Sequence, residues 1–433
     1  MDSALAPASA SLRQQRNFWL VWLGQAVSRQ GDGMAGIAVI WWLVEVTGSP
    51  SATATLSLAM MLPGVLLGPV AGAVIDRVDR RRLLMTTDLV RAGAMGALTV
   101  LAFNDLLQLW QLLVFGVVEG VAQAFHSPAL QASIPRLVPP PALNQANSLN
   151  QLSEAGANLL APILGGALVA VAGSAPGMAV SVAGYAVAAA TLFLARIPPD
   201  PDDRTPEGNA DAPGAQPGDG TPTPLGRRGR PFRGLAGEAL EGLRYLRQAQ
   251  PVLFYMLCTF ALVNFALAPI GPLLPFVAQQ RLGLGPTGYG VLTVSLTVGT
   301  IAGAALMSAR GRGIRRGRGV IWGITGVGLG LAGVGLAGSA PVAAAAMAAC
   351  GFCLAVAQVS SEGLFQTRVP DRLRGRVFGV RRSLSTAAAP LGLALGGALA
   401  GVAAPHLILT GAGLAAALAG LSGHLIRELP RAQ

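Results

Sequence analysis

Residues 53–104 read TATLSLAMMLPGVLLGPVAGAVIDRVDRRRLLMTTDLVRAGAMGALTVLAFN: two apolar runs, 53–75 and 83–104, parted by a charged turn holding Asp76, Arg77, Asp79 and Arg80 to Arg82. A bilayer core of about 30 Å takes roughly 20 apolar residues per helical crossing, so each run has the length of one span. The turn then lies at the membrane surface, where its charges keep their water.

Outward from this pair, comparable runs fall near 17–44, 107–126, 148–171, 175–195, 251–277, 288–308, 319–337, 341–361, 378–401 and 405–426, making twelve spans. Composition agrees. Of 433 residues, 52% are apolar and 12% charged, and the mean hydropathy is +0.55; a soluble domain carries about 25% charge. A soluble enzyme and a disordered tail protein are thereby excluded. No run of about ten residues alternates in the manner of a lipid-facing barrel strand, so the spans are helices, which satisfy their backbone hydrogen bonds internally.

The net charge is +11, and all 31 basic residues are Arg. Their positions argue for topology and against nucleic acid. Arg13 and Arg16 precede the first span, Arg77 and Arg80 to Arg82 follow the second, and Arg136 follows the fourth. Arg196 and Arg227 to Arg247 follow the sixth, and the same side receives Arg310 to Arg318, Arg368 to Arg376, Arg427 and Arg431. Arg281 alone falls on the other side. Cytoplasmic loops hold the basic excess, which predicts both termini in the cytoplasm. Trp19, Trp22, Trp41, Trp42, Trp110 and Trp322 sit at span ends, where an amphipathic ring prefers the interface. The first apolar run lacks a small-residue cleavage site after a short core and is expected to stay as a span. Cys350-x-x-Cys353 lies among Ala and Gly with no second Cys pair or His nearby, so packing is expected there, with no metal and no cofactor.

Residues 197–234 are dense in Pro, Gly and Asp and cannot bury a core, which predicts a disordered cytoplasmic linker. Leu235, Leu240, Leu243 and Leu246 interleave with Glu238, Glu241, Arg244 and Arg247, the pattern of an amphipathic surface helix over 235–249. The chain thus divides into a tail (1–16), a first six-helix bundle (17–196), the linker, the surface helix, a second bundle (250–427) and a tail (428–433). Val138-Pro139 and Gly165 to Leu168 recur as Val369-Pro370 and Gly396 to Leu399, while Pro50 and Arg80 recur as Pro286 and Arg316. Parallel repeats imply two halves related by an axis along the membrane normal, with a path between them.

The run Gly72-Ala-Val-Ile-Asp76-Arg77-Val-Asp79-Arg80-Arg81 resembles the cytoplasmic signature loop of the major facilitator superfamily, with Asp79 where a Gly is usual. Asn17-Phe18-Trp19, Thr47-Gly48-Ser49-Pro50, Ala146-Asn147-Ser148 and Gly375-Arg376-Val377 are similar to the bacterial efflux branch that includes macrolide and siderophore exporters. The resemblance implies twelve helices in two six-helix bundles, a bacterial inner-membrane location, and a cavity lined by spans one, four, seven and ten. It also implies a conformational latch in which Asp76 of the signature loop (Gly72, Asp76, Arg77, Arg80, Arg81) holds spans two and eleven together when the cavity opens outward, with Arg381 and Arg382 as partners. The simpler reading of the Arg residues is topology alone.

Acids inside spans cost several kcal/mol and mark pathways. Asp32 lies mid-span on a face with Gln25, Ser28 and Arg29; Glu119 and Gln123 share a face of span four with His126; Asn147, Gln151, Glu154 and Asn158 share one of span five. Three polar stripes in one half predict a shared polar cavity, with Asp32, Glu119 and Glu154 as proton carriers. Against this stands a structural ion pair between Arg29 and one of the acids. His126, before Ser127-Pro128, reads as a helix-end residue. The second half offers neutral groups, Asn264, Gln358, Thr293 and Thr297, with one acid, Glu362, at a span end. A cavity acidic on one wall and neutral on the other suits an amphiphilic molecule.

A phosphate-binding loop needs a Lys, and the chain has none. No H-E-x-x-H or G-x-S-x-G occurs, which argues against an enzyme. The expectation is a monomeric, proton-coupled exporter of amphiphilic drug-like compounds, whose partners are a small-molecule substrate, protons and the bilayer. The alternatives are a siderophore or metabolite exporter, an uptake permease, and a non-transporting receptor or assembly partner.

Overall fold

The computed structural model describes residues 12–75, 77–198, 243–311, 315–426 and 428–430. Twelve helical rods run through them: α1 Arg16–Thr47, α2 Pro50–Ile75, α3 Arg80–Phe103, α4 Leu109–Leu137, α5 Leu143–Ala172, α6 Ser174–Leu194, α7 Pro251–Arg281, α8 Pro286–Arg310, α9 Arg316–Leu336, α10 Ala340–Arg368, α11 Asp371–Leu399 and α12 Pro405–Leu421. Among the described residues, ten helices are long and apolar enough to cross a membrane. Of the other two, α1 carries Arg16, Arg29, Asp32 and Glu45, and α11 opens with Asp371, Arg372, Arg374 and Arg376.

Local chemistry sets the boundaries. Thr47 is followed by Gly48 at φ 57°, a left-handed turn that suits Gly and ends α1 with its N–H on the Val44 carbonyl. Asp79, the departure from the usual signature-loop Gly, caps α3: its side chain accepts from the Arg82 N–H at 2.9 Å. Helix α4 continues eleven residues past the expected end at His126, through Pro128 and Pro135 to Leu137. Helix α7 breaks at Ala268-Pro269 and widens into a π turn at Val277–Arg281.

The helix contacts repeat between halves. Helix α1 packs on α5 and α6, α2 on α4, and α3 on α4 and α6; correspondingly α7 packs on α11 and α12, α8 on α10, and α9 on α10 and α12. The halves meet through α5 with α8 and α2 with α11, a symmetric pair of seams. Of the Arg-rich segment predicted as a surface helix, residues 243–249 are described and helical; Leu246 is fully buried with Val252, Ile321 and Leu429. The linker from 199, the part of this segment before 243, and Asp76 lie outside the described residues.

Apolar packing is distributed unevenly along the membrane normal. At the face away from the Arg-rich loops one core joins both halves, including Trp41, Leu112 and Met178 of the first with Leu273, Tyr289 and Leu331 of the second. Trp41 stacks on Tyr289 across the seam, centroids 6.4 Å apart. The Thr287 hydroxyl donates to the Gly166 carbonyl at 3.3 Å. Here α5 and α8 touch through backbone: a Cβ on Gly166 would stand 2.6 Å from the Pro286 oxygen, and one on Gly290 would run into the Pro162 carbonyl. At the Arg-rich face each half instead has a core of its own, one around Phe18, Leu84 and Ile134, the other around Phe260, Leu364 and Phe365. The halves are closed together at one face and part toward the other.

Candidate functional site

Helix α3 contributes the residue around which the first half is organised. Arg91 is 2% exposed in mid-span. Its Nη2 reaches Asp32 Oδ2 of α1 at 2.7 Å and Glu119 Oε1 of α4 at 2.6 Å, and its Nε lies 3.0 Å from both Glu119 oxygens. The ring of Tyr185 on α6 covers the guanidinium, 4.4 Å from centroid to Cζ. Four helices thus converge on one fixed positive charge. Arg suits the place because its planar fork binds a carboxylate on two nitrogens and keeps its proton at any ordinary pH. Asp32 is the most exposed of these acids, its side chain 24% exposed, with Oδ2 on Arg91 and Oδ1 buried.

A second group of buried bonds joins this one. Gln25 Nε2 donates to Asp88 Oδ2 at 3.0 Å, Gln25 Oε1 lies 2.9 Å from His126 Nε2, and His126 Nδ1 lies 2.9 Å from the Thr87 hydroxyl. Asp88 stands one turn from Arg91 on α3, 3.9 Å from its Nη1. His126 is therefore no helix-end residue: α4 runs on past it, and the ring is buried among α1, α3 and α4.

Arg29 pairs with neither Asp32 nor Glu119. It donates to Ser153 of α5 at 3.1 Å and lies within electrostatic reach of Glu154 and Asp32. Ser28, expected in the cavity, is 1% exposed and packs against Gly184 of α6, whose missing side chain lets the helices approach. Gln25 is buried in the charge network. Gln151, Glu154 and Asn158 share one exposed face of α5, and Leu152, Leu160 and Ile163 lie on the opposite side; Gln123 and Gln358 are exposed as well. Asn264 returns its Nδ2 to the Phe260 carbonyl at 2.9 Å.

Asp76, the centre of the expected latch, lies outside the described residues, and Arg80, Arg81 and Arg381 make bonds of their own. Gly72 and Arg77 are exposed. Arg80 donates to the Ala132 carbonyl near the end of α4 at 2.7 Å, and Arg81 to the Leu192 carbonyl at 2.8 Å and to that of Phe193. Arg316 repeats the Arg80 bond in the second half, reaching the Gly363 carbonyl near the end of α10 at 3.0 Å. Arg381 pairs with Glu362 at 2.8 Å, its Cζ 4.8 Å from the Phe365 ring centroid, and Arg382 is exposed beside it.

The arrangement gathers three carboxylates, a histidine and a guanidinium within one half of a two-half membrane bundle. Solved structures share the architecture. A bacterial homologue of the iron transporter ferroportin in an inward-facing state aligns over 95% of this chain and 99% of its own, with TM-score 0.69 and 16% identity. A POT family transporter aligns over 96% of each chain with TM-score 0.70 and 10% identity. Among curated proteins, macrolide efflux protein A of Streptococcus pyogenes is 27% identical over 381 residues, 87% of this chain and 88% of its own. Multidrug efflux pump Tap of Mycolicibacterium fortuitum is 26% identical over 388 residues, 87% of each. Residues 21–393 match the family model of the Major Facilitator Superfamily, and the chain belongs to that family of multi-pass membrane transporters.

Proposed function

We infer that the protein is a proton-coupled exporter of amphiphilic compounds from the bacterial cytoplasm, with the Arg-rich face and both termini inside, and that the state described is open to the cytoplasm. The observation that carries this reading is the buried bridge Asp32–Arg91–Glu119. Three carboxylates, Asp32, Asp88 and Glu119, gather around the single guanidinium of Arg91, so the group is short of positive charge. In a low-dielectric site that shortage is relieved by binding protons. Closure of the Arg-rich face and opening of the other alters which water lies nearest Asp32, the most exposed of the three acids, and this exchange links proton entry to substrate exit.

Substrate class is supported by the exposed face of α5, which carries Gln151, Glu154 and Asn158, and by relatives whose names record macrolide and multidrug efflux. A second reading, export of an acidic metabolite or siderophore, is favoured by Arg29: among the described residues it has no carboxylate within ion-pair distance, which leaves it able to receive an anion. Proteoliposomes loaded with a lumenal pH dye test the assignment. Entry of erythromycin should raise lumenal pH beyond the change in protein-free vesicles, as protons leave in exchange. No difference from the protein-free control, for erythromycin or for any compound in a panel spanning cationic, neutral and acidic amphiphiles, would overturn proton exchange.

A further inference from the structure

The second polar group, Asp88 with His126, is not needed to hold Asp32 and Glu119 in place, yet it is the more deeply buried of the two. Asp88 is 0% exposed. Its Oδ2 accepts from Gln25, while its Oδ1 is buried without a hydrogen-bond donor, 3.6 Å from His126 Nδ1. The Gln25 amide determines the ring's tautomer. Its nitrogen is committed to Asp88, so its oxygen accepts, and His126 must donate from Nε2. In the neutral ring Nδ1 is then bare and accepts the Thr87 hydroxyl. That hydroxyl has another acceptor within 2.8 Å, the Leu84 carbonyl. A proton arriving at Nδ1 therefore finds its place ready: Thr87 turns to Leu84, and the new N–H faces Asp88 Oδ1, which has no hydrogen-bond donor.

Charge points the same way. Glu119 has both oxygens on Arg91, and the carboxylate oxygens left buried without a hydrogen-bond donor are Oδ1 of Asp32, on the acid beside Tyr185, and Oδ1 of Asp88, 3.9 Å from Arg91 Nη1. Three acids and one guanidinium become neutral with two protons, one for each of these oxygens. The charged and titratable groups around the pair are Arg29 and Asp32 on α1, Arg91 on α3, Glu119 on α4 and Tyr185 on α6. Resting on the proton-coupled reading above, we propose that Asp88 and His126 hold one exchangeable proton between them, separate from that of Asp32, so that the first half stores two. The step is proton transfer alone. A proton from water enters at Nδ1 or Oδ1 and comes to rest on Asp88 Oδ1, shared with the His126 ring, raising the charge of the group by one, and the reverse step returns it to water.

The test is infrared difference spectroscopy of the purified full-length protein in lipid, recorded between acid and alkaline buffer, with the proton itself as probe. Wild type should show two carboxylic-acid C=O bands. Asp32→Asn should remove one and Asp88→Asn the other. His126→Gln, which keeps an amide in place of the ring, should keep both while moving the midpoint of the Asp88 band by about one pH unit or more, a tenfold change in proton affinity. Two bands surviving in Asp88→Asn would overturn the second station, as would both vanishing in Asp32→Asn. If Asp88→Asn does not fold, an unmoved midpoint in His126→Gln overturns it equally. A spectrum in which Asp88→Asn removes a band and Asp32→Asn removes none would support this station while contradicting the coupling role of Asp32, so the two proposals fail separately.

Discussion

Arg91 is a charge that four helices share, and its replacement separates its two tasks. Arg91→Met leaves three buried carboxylates without their cation; breaking a buried pair in this way costs about 3–5 kcal/mol, so folded yield and thermal stability in detergent should fall sharply. Arg91→Lys keeps the charge but loses the fork, since an ammonium cannot span Glu119 and Asp32 as the guanidinium does. It should fold and transport slowly, and a Lys variant with wild-type turnover would reduce the bridge to a structural salt link. Asp32, Glu119 and Gln25 are legible in sequence because an acid or amide in an apolar run is conspicuous. Arg91 and Asp88 carry the same signal, an i,i+3 pair inside span three, but the stretch reads as a span beginning at a charged turn, and the pair is absorbed into it. His126 is missed for a different reason: hydropathy falls at Ser127-Pro128 while the helix continues, because Pro128 need not end a helix whose freed carbonyls neighbouring helices can serve.

Helix ends in general escape a hydropathy reading, which measures bilayer thickness and not helix length. Helix α11 starts at Asp371, seven residues before its apolar run begins, and Arg374 in its first turn donates to the Gln366 carbonyl at 3.0 Å. The Arg80 and Arg316 bonds were foreshadowed by the repeat offset, and their geometry explains it: each sits at the first residue of its helix and ties it to a carbonyl five residues before the end of the next. Cationic donors suit the negative end of a helix dipole. Arg80→Ala and Arg316→Ala should each lower stability by about 1.5–3 kcal/mol, the worth of a hydrogen bond to a charged group, and, lying in separate halves, their effects should add. Thermal unfolding of the two single variants and the double variant checks both statements; strong non-additivity would contradict the independence of the two hooks.

At the scale of the molecule, twelve spans, two repeats and the Arg asymmetry are readable from the chain, whereas the close backbone approach of α5 and α8 at Gly166 and Gly290 is not, because it is a matter of helix placement. Val at Gly290 would collide with the Pro162 carbonyl and loosen the closed face. With spin labels at Ser148 of α5 and Ser308 of α8, near the parted face, Gly290→Val should shift the distance distribution toward shorter values as that face closes; an unchanged distribution would mean the α5–α8 seam does not set the state. The coupling of this rocking to protons is the central claim, and transport against a gradient measures it most directly. In vesicles with an imposed pH gradient, wild type should concentrate erythromycin, whereas Asp32→Asn, which keeps the shape of the protonated acid, should equilibrate it and go no further. Uphill accumulation by Asp32→Asn at the wild-type level would contradict the account.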